Sequence, residues 1–173
     1  SEFNFSPNTT LIVGPNTAGK TNLVEAIFFL SIGKSFRGAD QDVILFGEDV
    51  SRIKSDTLEM VFANQEGRFI KKYLVNGVSK QRVNFVGNLP AVLFTPMDLE
   101  IVTASPGTRR NYLDFVLEQV NSEYRRANST YQRAIRSRNR LLENAKKIGR
   151  KNQELFDYWD NLINVIHFFL SVS

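Results

Sequence analysis

The 173-residue chain has no cysteine, one histidine, two methionines and five prolines. Without thiols it forms no disulfide and no thiolate metal site, and a single His167 rules out a histidine-rich metal centre. No apolar run reaches the length of a membrane span. The most apolar stretch, residues 162–172, is broken by Asn164 and His167. No leader-like segment opens the sequence, and no internal repeat or low-complexity tract divides it. The expectation is a soluble, cytoplasmic protein with no membrane partner. Hydrophobic content of 42% and charged content of 23% are ordinary for a globular chain with a real core.

Acidic residues are scarce in one region only. Residues 106–151 hold twelve Lys or Arg against four acids, a net of +8. The remainder holds ten basic and fourteen acidic residues, a net of −4, so the overall +4 belongs to that one segment.

What is present is a phosphate-binding loop. Residues 14–21 read GPNTAGKT, a complete G-x-x-x-x-G-K-[ST], preceded by the apolar Leu11, Ile12 and Val13 and followed by the helix-like run 22–30. Strand, glycine loop and helix is the context this motif requires. By residue frequency alone such a match arises by chance in roughly 0.5% of chains this long. Gly14 and Gly19 lack Cβ and let the chain curl, so that the amides from Thr17 to Thr21 point inward at the start of a helix. Lys20 then reaches the β- and γ-phosphates of a nucleotide, and the Thr21 hydroxyl ligates Mg²⁺. Gly14, Pro15, Asn16, Thr17, Ala18, Gly19, Lys20, Thr21 and Asn22 are the candidate nucleotide-binding residues, with ATP and Mg²⁺ as ligands. The plainer alternative is a glycine turn capping a core helix.

Residues 33–38 (GKSFRG) form a loop in which Lys34 and Arg37 are candidates to touch phosphate or DNA and Phe36 is a core anchor. Residues 43–46 are a short apolar element. Residues 58–63 and 69–75 read as strands around a polar turn, and Asn76-Gly77 opens a second turn into a short partner from Val78. A buried strand is expected at residues 91–94. Beyond Pro106, with Ser105 as cap, the apolar spacing becomes helical and runs through two long segments. Gly149 breaks it, and a third helix runs from about Gln153. The fold class is thus α/β: a lobe over residues 1–103 carrying a small antiparallel meander, then an antiparallel α-helical arm over residues 104–173.

Along the arm, Arg126, Arg133, Arg136 and Arg140 fall within roughly 80° of one another, opposite the apolar face. Such a row either tracks nucleic-acid phosphates or is a solvated helix face. Arg138 lies on the apolar side instead. Arg109 and Arg110 stand at a helix start, where cations oppose the dipole, which suggests a pairing or functional reason for one of them. His167 reads as a core or interface residue, and Trp159 with its aromatic neighbours as arm packing.

GPNTAGKTNLVEAIFFLSIGKSFRG, the Val75-Asn76-Gly77 turn, NLPAVLFTPMDLEIVTASPGTRRNYLDF and the arm segment from Tyr131 to Leu142 together resemble the bacterial RecF family of SMC/Rad50-like, ABC-type ATPases. The resemblance runs through essentially the whole chain. It implies a P-loop NTPase that binds ATP, forms an ATP-dependent homodimer and binds gapped DNA or single-strand/double-strand junctions. It further implies RecO and RecR type mediators as partners in recombinase loading, repair, replication and the SOS response. The position after Phe94 corresponds to a γ-phosphate and metal sensor of related ATPases, which makes Asp98 a second candidate metal ligand; the alternative is a turn capped by Asp98. Thr17 departs from the family pattern, which carries glycine there. An LSxGQ signature and a strand ending in Asp-Glu are absent from these residues, so the chain resembles the amino-terminal part of a longer protein. ATP binding without significant hydrolysis is expected. Another SMC-like or ABC-type ATPase, or a non-enzymatic protein-binding module, are the alternative readings.

Overall fold

The computed structural model describes residues 2–96, 98, 105–148 and 153–172. Helix α1 (Lys20–Ile32) starts directly from the glycine loop and stops at Gly33, whose N–H returns to the Phe29 carbonyl at 2.8 Å. Gly33 has φ 76°, and a Cβ there would lie 2.9 Å from the Tyr73 ring. Both left-handed backbone and close approach therefore demand glycine at this stop. The second half of α1 is buried, with Phe28, Phe29, Leu30 and Ile32 inside and Ser31 as the one polar side chain among them.

Four antiparallel strands follow: β1 (Val50–Lys54), β2 (Leu58–Gln65), β3 (Arg68–Val75) and β4 (Val78–Lys80), in the order β1-β2-β3-β4. The two tight hairpins pair Gln65 with Arg68 and Val75 with Val78. Their central residues, Glu66-Gly67 and Asn76-Gly77, all have positive φ, the requirement of turns whose twist matches the strands. β2 alternates its large side chains inward, and Leu58, Met60 and Phe62 meet Phe29 and Leu30 of α1 together with Phe85. Phe85 comes from the short helix α2 (Arg82–Phe85). Full burial of a phenylalanine is worth about 2–3 kcal/mol, so Phe29, Phe62 and Phe85 are the principal stabilisers of the lobe.

The arm consists of α3 (Pro106–Val120), α4 (Ser122–Ile148) and α5 (Gln153–Val172). Ser105 Oγ accepts from the Thr108 N–H and caps α3 as expected. Asn121 ends α3 and opens α4, its Oδ1 accepting from the N–H groups of Glu123 and Tyr124. Tyr131 meets His167, and Arg138 pairs with Asp160. These two contacts fix α4 and α5 as antiparallel. Gly149, expected to break the arm, lies outside the described residues. Among the described residues, no helix is long and apolar enough to cross a membrane.

Two expected strands are corrected. Residues 11–13 are not a strand, and Leu11 and Val13 stand 83% and 78% exposed. Residues 91–94 are not a strand either, with Val92 and Phe94 72% and 70% exposed. A strand needs a neighbour for its backbone groups. Here the four paired strands satisfy each other locally, and the Ala91 N–H goes to the Gln119 side chain at 2.8 Å. Conversely β1 and α2 had no sequence signal: β1 is five residues at the sheet edge with Val50, Arg52 and Lys54 exposed and only Ser51 and Ile53 half-buried between them, and α2 is a single turn. Of the two readings of His167, core or interface, the core is excluded, since it is exposed and tilted against Tyr131.

The lobe and the arm meet through buried polar groups. Arg125, 8% exposed, donates to the carbonyls of Glu118, Val83 and Gln119. Burial pushes its guanidinium below the ordinary arginine range, and neighbouring Glu118 offsets part of that shift. Glu118 also takes Arg82 at 3.3 Å and Asn128 at 2.9 Å. Gln119 Oε1 accepts from Ser31 Oγ at 3.0 Å. Gly87, φ 90°, leaves room for all this, since a Cβ would lie 2.4 Å from Arg125 Nη2. Beside this joint, Tyr124 donates to Asp114, and its phenol is pushed well above the ordinary tyrosine range, first by burial and then by that carboxylate.

Candidate functional site

Residues 14–19 turn the chain back on itself just before α1. Ala18 N–H reaches the Pro15 carbonyl at 3.4 Å, and Leu23 N–H reaches Gly19 at 3.0 Å, the first helical bond. Thr17 and Gly19 both take left-handed backbone, φ 69° and 84°. Glycine does so freely. A β-branched threonine does so at a cost of about 1–2 kcal/mol, so Thr17 holds its left-handed position under strain.

The curl encloses an open cavity of about 270 Å³ lined by Asn16, Thr17, Ala18, Gly19, Lys20, Thr21, Asn22 and Arg37. The helix start faces it with unpaired amides, the arrangement that favours anions. Lys20 folds across the loop and donates to the carbonyls of Gly14 and Pro15 at 2.8 and 2.7 Å. The ammonium is therefore already held at the loop, on neutral acceptors that a polyphosphate oxygen would outcompete by charge. Every residue proposed from the motif for nucleotide either lines the cavity or holds Lys20.

Arg37 joins them from the GKSFR loop. Its Nη2 donates to Asn22 Oδ1 at 2.7 Å and its Nε to Glu25 Oε2 at 2.9 Å. Phe36 beside it stands edge-on to Phe28, ring centroids 5.4 Å apart, as the expected anchor. Phe28 in turn stacks on Phe115 of α3 at 5.5 Å. Lys34 is exposed and does not line the cavity. Glu25 carried no signal in the motif. Its spacing was the available clue, since Asn22 and Glu25 are three apart on one helix and share a face.

Asp98 is not among the cavity-lining residues. Its Oδ2 accepts from the Thr95 N–H at 2.6 Å and Thr95 Oγ1 at 2.7 Å, a local turn cap. On the arm, Arg126, Arg133, Arg136 and Arg140 are all exposed on α4, and no ion pair among the described residues engages them. Arg138, the one on the apolar side, is the one that pairs, with Asp160.

The loop, its helix and the meander define a phosphate-loop lobe, and residues 1–84 match the family model described as the RecF/RecN/SMC N terminal domain. Over a longer span the chain is similar to the DNA replication and repair protein RecF of several bacteria. It is 34% identical to that of Lactobacillus gasseri over 158 residues, 88% of this chain and 42% of the relative. It is 36% identical to that of Thermomicrobium roseum over 181 residues, 94% and 46% respectively. Among solved structures it is similar to the recombination mediator protein RecF with ATPrS, at TM-score 0.72 and 28% identity, covering 91% of this chain and 44% of that one. RecF with ATP gives 0.66 and 28%, covering 90% and 46%. The chain belongs to the RecF family. It spans less than half the length of these relatives.

Proposed function

We propose that this chain is the nucleotide-binding lobe and DNA-contacting arm of a RecF-type DNA replication and repair protein. The observation that carries the reading is the curl of residues 14–19 at the start of α1, with Lys20 held on the Gly14 and Pro15 carbonyls and Arg37 in the cavity wall. In it the phosphates of ATP sit against the amides of residues 16–22, Lys20 moves from the Gly14 and Pro15 carbonyls to the phosphates, and Arg37 faces them. The Thr21 hydroxyl would hold Mg²⁺, and Asp98 would add a second oxygen donor only on leaving its Thr95 turn cap, since it lies outside the cavity lining. Bound Mg²⁺ would neutralise phosphate charge.

The exposed row Arg126, Arg133, Arg136 and Arg140, in no ion pair among the described residues, is the DNA contact of this reading, tracking backbone phosphates at gapped or junction DNA. RecO and RecR type mediators, an ATP-dependent homodimer and a cytoplasmic setting belong to the same reading by family analogy. Within these residues Lys20 and Thr21 supply a cradle and a metal ligand but no group that positions an attacking water, so the isolated chain binds ATP without appreciable turnover. Robust turnover abolished by Lys20→Ala would contradict that last point.

The test is calorimetric titration of Mg-ATP into wild type and Lys20→Ala, expecting at least a tenfold loss of affinity with the fold intact. In parallel, gapped duplex binding is followed against salt. Several phosphate contacts require a steep fall in affinity with added salt. Charge reversal of Arg126, Arg133 and Arg140 together should abolish DNA binding while sparing ATP. If the triple variant binds DNA unchanged, the arm assignment is wrong.

A further inference from the structure

Glu25 is the charged group at the phosphate loop to which the nucleotide reading gives no task. A carboxylate beside a polyphosphate site is unfavourable by Coulomb repulsion alone, yet this one is well ordered by its partners. Its Oε1 accepts from Ser35 Oγ, and its Oε2 pairs with Arg37, the closest approach being Nη2 at 2.6 Å. Ser35 Oγ in turn accepts from the N–H groups of Arg37 and Gly38, both at 3.1 Å. One carboxylate thus organises the backbone of residues 35–38 and the guanidinium they carry.

The same Arg37 group reaches Asn22, which lines the cavity. The exposures divide the roles. The Glu25 side chain is 12% exposed and shielded behind Arg37, whose own side chain is 45% exposed at the cavity wall. Asp40 holds the other side of the loop, accepting from the Ser35 N–H at 2.7 Å and pairing with Lys71 of β3. Two carboxylates thus hold the loop, and of the two only Glu25 bonds the arginine itself.

We propose that Glu25 is a positioning residue: it sets residues 33–38 so that Arg37 faces the phosphate cavity, and does not itself contact phosphate. This rests on the reading that the cavity takes a polyphosphate. Positioning and bare electrostatics predict opposite signs. If Glu25 is only a nearby negative charge, removing it tightens anion binding. If it aims Arg37, removing it weakens binding.

The experiment titrates Mg-ATP, and separately inorganic triphosphate, into the 173-residue chain. Wild type, Lys20→Ala, Arg37→Ala, Glu25→Ala, Glu25→Gln and the Glu25→Ala/Arg37→Ala double variant are compared, each with its melting temperature and far-UV spectrum. Glu25→Ala should weaken both probes about as much as Arg37→Ala, on the order of tenfold, the scale of a charge-assisted contact. Glu25→Gln, which still accepts from one partner, should lose less. The double variant should be no weaker than Arg37→Ala, because Glu25 acts only through that side chain.

Unchanged or tighter binding by a natively melting Glu25→Ala overturns the proposal, and so do additive losses in the double variant. Should Glu25→Ala fail to fold, unchanged or tighter binding by Glu25→Gln does the same. If wild type and Lys20→Ala both ignore both probes, the polyphosphate reading falls and takes this proposal with it. If wild type binds and only Lys20→Ala is impaired, the positioning role alone falls.

Discussion

The phosphate loop and the joint between lobe and arm sit at opposite ends of α1 and are built by opposite means. At the loop, most side chains are exposed, the backbone is left-handed at Thr17 and Gly19, and the helix start has no side-chain cap. At the joint, Arg125, Gln119 and Asn128 are buried and hydrogen-bonded, and no buried side-chain polar atom among the described residues lacks a partner. The difference teaches that the chain holds strain and unmet hydrogen-bonding capacity where α1 opens onto the cavity, and completes both where α1 faces protein. The middle of α1 links the two, since Phe28 touches Phe36 of the cavity-side loop and Phe115 of the arm.

The comparison breaks most clearly at Arg125. Replacing it with alanine strips three carbonyls of their donor in a buried setting, an expected loss of about 3–4 kcal/mol in urea denaturation. Mg-ATP affinity of the folded fraction should be unchanged. A variant as stable as wild type would show the joint to be solvated after all.

A smaller loss is expected at the stop of α1. Gly33→Ala must hold positive φ and push against Tyr73, costing about 1–2 kcal/mol by the same denaturation measurement. A neutral result would mean that the turn relaxes.

Tyr124→Phe removes one hydrogen bond to a charged partner, about 1.5 kcal/mol at neutral pH. Its folded phenol titrates above the unfolded value near 10. The contribution is therefore complete below pH 10 and fades as pH rises through the folded value. Melting temperatures of wild type and variant should converge above pH 10, and a constant gap would contradict the assignment.

The smallest effect has the opposite sign and belongs to the loop. Thr17→Gly relieves left-handed strain at the cost of a more flexible unfolded chain, for a net gain of about 0.5–1 kcal/mol. Mg-ATP affinity should rise severalfold as the cradle becomes easier to form. Weaker binding would indicate that the threonine hydroxyl contributes to the site.

The motif and the meander were legible because their signals are local. GPNTAGKT, the Asn76-Gly77 turn and the Ser105–Pro106 helix start each specify backbone within a few residues, and the structure places each as expected. The arginine row was legible by helical period, including Arg138 as the member that turns inward. Residues 11–13 and 91–94 misled because apolarity and β-propensity say only that a segment fits a sheet, not that a neighbour is there to pair with it. Glu25 stayed hidden because its role depends on a loop ten residues on folding back over the helix.

Local chemistry in the sequence thus determined where the chain curls, where helices begin and end, and which face of α4 is basic. Tertiary structure alone decided that Arg37 lines the cavity at the loop, that Glu25 pairs with it, and that Arg125 closes the joint with the arm. These depend on groups as far apart in the chain as Val83 and Arg125. Their meeting is set by how α1 packs between the sheet and the arm, which no window of sequence contains.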